Sequence, residues 1–141
     1  MQGFAAAAGG PPPAGLEYVP GSTTQFLGLD QKLGVLLGYV VGVLSLLYIF
    51  MEPKTNRFVR FHAFQAIFIG IAMTVVSVIG GIATAVLIAI SPAMGLLGNV
   101  VQIANLVLFV FYWIAAYNGF QGKVYQVPVV GKMAANFAAK N

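Results

Sequence analysis

The sequence contains no cysteine, one histidine and three acidic residues among 141, and each shortage removes a class of chemistry. Without cysteine there is no disulfide, thiol nucleophile or thiolate metal site. With His62 alone, and with Glu17, Asp30 and Glu52 scattered near segment ends, neither a metal centre, a carboxylate pair nor a Ser/His/Asp arrangement is expected. The chain is therefore read as non-enzymatic, with no catalytic residue and no metal. Charge is scarce as well. Only 7% of residues are charged, where a soluble domain carries about a quarter, and residues 61 to 122 hold no Asp, Glu, Lys or Arg. No water-facing surface can be built from such a stretch.

What is present is apolar: 60% of residues are hydrophobic and the mean hydropathy is +0.90. The chain reads as an all-α integral membrane protein. Its net charge of +4 does not point to nucleic acid, because the basic residues are spread around apolar segments, where they set topology and meet anionic lipid.

Three divisions follow from composition. Residues 1–29, with four alanines and a Gly-Gly-Pro-Pro-Pro run, read as an extended tail resting on a partner protein. Residues 30–118 form the transmembrane domain, and residues 119–141 a cytoplasmic tail ending in a short amphipathic surface helix. Within the domain, residues 33–51 are uncharged over the length of one crossing. Residues 61–90 exceed one crossing by several turns, so an interfacial helix start is expected at 56–65, capped by Thr55 or Asn56. Ser91 and Pro92 break the chain before a third span of about 96–118, closed by Tyr112, Trp113 and Tyr117 at the interface. Three crossings put the basic loop 52–60 and the C-terminus on the cytoplasmic face of a bacterial inner membrane. They leave the N-terminus outside.

Two polar or small-residue patterns stand out in the spans. Gly34, Gly38 and Gly42 form a ladder on one helical face, repeated in kind by Ser77, Gly81 and Ala85, which lets helices approach closely. Asn99, Gln102 and Asn105 recur every three residues on one sector of the third span, a face that lipid accepts only at a cost. Interhelical hydrogen bonding is the expected use, and the lining of a solute path the alternative. His62, among Phe58, Phe61, Phe64 and Phe68, reads as an interfacial hydrogen-bonding residue. Its sharper reading is an axial ligand to a metal or to the magnesium of a chlorophyll-type pigment.

The segments NRFVRFHAFQAI (56–67) and AYNGFQGKVYQVPVVGKMA (116–134) resemble a family of small bacterial and archaeal membrane proteins of unknown function. That family is related to the chloroplast inner-envelope protein import component. Its pattern stands here as Arg57, Arg60, His62, Tyr125, Pro128 and Gly131. The resemblance implies a three- or four-helix membrane protein working within larger assemblies. The function expected from all of this is an accessory subunit that packs against and stabilises a larger membrane protein complex carrying lipids or pigments. A translocon-like transport component and a free-standing lipid-organising protein are the alternatives.

Overall fold

The computed structural model describes residues 15–140, and the first half of the expected tail lies outside them. The described chain is all-helical. Helix α1 is Gln31–Val40, α2 is Gly42–Met51, α3 is Arg57–Ile90, α4 is Leu96–Phe120 and α5 is Val130–Lys140, with a 3-10 turn at Pro92–Gly95 between α3 and α4.

The segment 33–51 is not a single crossing. It breaks at Val41, whose φ of −115° and ψ of 90° are extended, within a Gly-Tyr-Val-Val-Gly sequence in which two glycines and two β-branched residues weaken the helix together. The break strands the Gly38 carbonyl, one of the unsatisfied acceptors of a helix end. The Ser45 hydroxyl donates to it at 2.8 Å. The chain thereby reverses into a hairpin of two helices of ten residues each, about 15 Å long at ~1.5 Å per residue and half of what a bilayer core requires.

Among the described residues two helices remain that are long and apolar enough to cross, α3 and the segment Pro92–Phe120. They pack antiparallel. Gly80 faces Val101, Thr84 faces Gly98 and Gly95 faces Ile88, while the Asn105 side-chain amide donates to the Ser77 hydroxyl at 2.9 Å. At the break the Met94 N–H donates to the Ser91 carbonyl at 3.0 Å, and no side chain caps the turn.

Along α3 the environment changes once. Residues 58–66 and Ile69 are buried, whereas most residues from 70 onward are exposed or only partly covered. The bare portion, 70–90, is about 31 Å long and matches the ~30 Å hydrocarbon core. The expected interfacial start at 56–65 is thus replaced by burial in protein: α1, α2, the end of α4, residues 16–18, residues 124–127 and α5 all pack around the beginning of α3. Asn56 precedes α3 without capping it; its side chain is spent on Glu52 at 2.7 Å and on Gln31.

That cluster also gathers residues from both ends of the described chain. A Cβ at Gly122 would meet both Tyr18 and Lys32, and one at Gly15 would meet Arg57, so the described part of the N-terminal segment shares an end with the C-terminal one. It is compact, with Leu16 and Thr24 fully buried. Glu52 fixes it by accepting from the Gln25 and Phe26 N–H groups at 3.0 and 2.8 Å. The C-terminal helix is present as expected, but it buries Ala134, Ala135 and Ala138 against Phe61, Phe64 and Leu16. Met133 is left largely exposed, and Phe137 lies beside Phe64 and Phe68.

Candidate functional site

Two regions gather the polar residues that the sequence singles out. The first surrounds His62. Its Nε2 lies 3.1 Å from the Lys123 carbonyl oxygen, which accepts only, so Nε2 carries the proton and donates. Nδ1, 3.1 Å from the Tyr39 hydroxyl, then accepts from that hydroxyl. Tyr39 in turn accepts from the Gln65 amide at 3.3 Å. Gln65 also donates to the Tyr125 carbonyl at 3.0 Å and accepts from the Val127 N–H at 3.0 Å. The chain of donors and acceptors closes with a neutral imidazole.

This network ties α1, α3 and the strap 123–127 together, with Phe58 and Phe61 edge-on to the His62 ring at 4.9 Å. Both ring nitrogens are engaged and the side chain is 1% exposed, so no lone pair is open to a pigment magnesium or another metal. Among the described residues no group of three His, Asp or Glu side chains comes together.

The family-pattern residues separate by role. Tyr125 and Arg60 are buried, Arg60 over the Phe64 ring at 5.6 Å. Gly131 packs so tightly that a Cβ there would lie 2.5 Å from the Gln126 Cα. Pro128 is exposed and precedes Val129, which holds a φ of +66°. Outside the spans, Tyr18 donates to Asp30 at 3.0 Å with Lys32 over its ring at 4.8 Å. Desolvation and the adjacent carboxylate both raise its hydroxyl above the usual tyrosine range.

The second region is one flank of the α3–α4 hairpin. The ladder glycines divide: Gly34 and Gly38 pack inside, against Thr24, Ser45 and Tyr48, while Gly42 opens to empty space. In α3, Ser77 meets Asn105, but Gly81 and Ala85 face outward and the close approach to α4 is made by Gly80 and Thr84. In α4, Asn99 and Gln102 are exposed. Gly80, which the sequence pattern did not single out, could have been found from its spacing of one turn after Ser77.

The sequence pattern of the magnetosome magnetite crystal formation protein family matches residues 24–134. Two UPF0132 membrane proteins of the archaeon Methanocaldococcus jannaschii are similar. One is 29% identical over 79% of this chain and 92% of its own length, the other 27% identical over 79% and 72%. No solved structure matches the chain. The fold and buried network thus define a small polytopic membrane protein. The chain belongs to the magnetosome magnetite crystal formation protein family.

Proposed function

We propose that this protein is a non-enzymatic packing subunit of a larger membrane assembly, anchored by its two crossing helices. The observation that carries the reading is the bare hairpin. Over residues 70–90 and 96–114 no residue is buried and most are exposed, although amides and small residues lie among them. The other end spends its polar residues on internal bonds, which supports a rigid platform over a reactive site. Lipid and neighbouring membrane proteins are the partners, and a pigment at His62 is not part of the reading because both ring nitrogens are bonded within the chain.

Six basic residues, Lys32, Lys54, Arg57, Arg60, Lys123 and Lys132, lie by chain position at the packed end, and the loop 91–95 has none. By the positive-inside tendency the packed end is cytoplasmic. A transport or import path lined by Asn99, Gln102 and Asn105 is the weaker reading, since Asn105 is turned to Ser77 inside the hairpin. Extraction of the full chain from native membranes in polymer nanodiscs, followed by native mass measurement, tests the proposal. An assembly well above 14.9 kDa with stoichiometric protein is expected. A lone chain with lipid overturns it in favour of a free-standing lipid-organising protein.

A further inference from the structure

The contacts Gly80 to Val101, Thr84 to Gly98 and Ser77 to Asn105 fix which side of each helix faces the other, and therefore which residues share each flank. At helical spacing, Thr74, Gly81 and Ala85 fall on one flank of α3, and Asn99, Gln102 and Phe109 fall on the flank of α4 beside it. Thr74 and Phe109 line one groove together with Gly42 and Gly70, which confirms the pairing of the two flanks. The opposite flank, carrying Val76 and Ala83 of α3 and Ala104 of α4, has no amide.

Neither Asn99 nor Gln102 has a side-chain hydrogen-bond partner among the described residues. In hydrocarbon such an amide is costly until it is paired. Gly42, Gly70 and Gly81 each have open space where a Cβ would stand, so a neighbouring helix can approach backbone to backbone along this flank.

We propose that the flank is the interface with a second copy of this chain. This rests on the packing-subunit reading above and names the first neighbour in it. Every copy inserts with the same orientation, so a pair is related by a twofold axis along the membrane normal and each residue near the axis meets its own counterpart. A carboxamide suits that arrangement, being donor and acceptor at once: Asn99 and Gln102 of one copy satisfy those of the other, with no complementary polar group required from a different protein. The small residues of α3 provide the room for that contact.

The natural sequence has no cysteine, which makes disulfide mapping of the full chain direct. Ala85→Cys and Gln102→Cys are placed on the proposed interface, Ala83→Cys and Ala104→Cys on the opposite flank. Each is reconstituted in vesicles of phosphatidylcholine and phosphatidylglycerol and oxidised with copper phenanthroline. Ala85→Cys and Gln102→Cys are expected to give a species of twice 14.9 kDa, and the other two to remain monomeric. Adding Asn99→Leu and Gln102→Leu to Ala85→Cys lowers its cross-linked fraction at least about fivefold, because the amide bonds are gone. Equal cross-linking on both flanks, or none on either, overturns the proposal. If the chain extracts in an assembly while Ala85→Cys fails to cross-link, the second-copy inference falls and the packing-subunit reading stands; a lone chain in nanodiscs removes both.

Discussion

The Ser45 hydroxyl donates to the Gly38 carbonyl oxygen seven residues earlier at 2.8 Å, and this bond joins the two arms of the α1–α2 hairpin. In an uninterrupted helix those residues would lie about two turns apart along the axis, too far for any such contact. Their pairing distinguishes a half-length hairpin from a crossing helix.

Two of the ladder glycines, Gly38 and Gly42, should accordingly respond differently to substitution. A Cβ at Gly38 would stand 2.9 Å from Ser45 Oγ and 3.2 Å from the Tyr48 ring, so Gly38→Leu overpacks the hairpin and costs about 1–3 kcal/mol. Gly42 has open space, and Gly42→Ala is neutral or stabilising by a few tenths of a kcal/mol through the unfolded chain, roughly within the usual ~0.4–1 kcal/mol for such changes. Thermal unfolding followed by circular dichroism in detergent reads both; equal effects at the two positions would contradict the hairpin.

Removing Gln65 should loosen the strap that closes the packed end. Gln65→Leu removes the bond that the Val127 N–H donates and the one that the Tyr125 carbonyl accepts, at about 1–3 kcal/mol for a buried donor left unsatisfied. Hydrogen exchange then accelerates at Val127 while the amides of residues 98–110 in α4 keep their protection. His62→Leu strands Tyr39 and the Lys123 carbonyl with a loss of similar size. If His62→Leu left the melting temperature unchanged, the network would not be what holds α1 to α3.

Membrane sidedness provides a third check. With two crossings and a hairpin, an impermeant maleimide should label Thr23→Cys and Lys132→Cys from one face of sealed vesicles and Met94→Cys from the other. All three positions are exposed. Labelling of Thr23→Cys together with Met94→Cys would restore three crossings and refute the packing of residues 15–30 against the C-terminal strap.

Much of this protein was determined by its sequence alone. The uncharged run from 61 to 122 dictates a membrane protein, because a stretch of that length without a charge cannot build a water-facing surface, and Ser91–Pro92 dictates a reversal between two long helices. The alternation of helical segments follows from apolar length and from the absence of any strand-like pattern. The amide row at Asn99, Gln102 and Asn105 was legible too, since helical spacing depends on local geometry only.

Tertiary structure decided the rest. Residues 33–51 have the length and apolarity of a crossing, and whether such a run stays straight or folds back at Val41 depends on Tyr48, Thr24 and Ser45 filling the space above Gly34 and Gly38. His62 has the surroundings of a ligand in sequence, yet its two nitrogens are committed to Tyr39 and Lys123, which lie 23 and 61 residues away. Sequence spacing records which residues share a helix face. Which partner covers that face is settled by distant parts of the chain meeting in space, and hydrophobic burial, being non-directional, leaves no local mark of it.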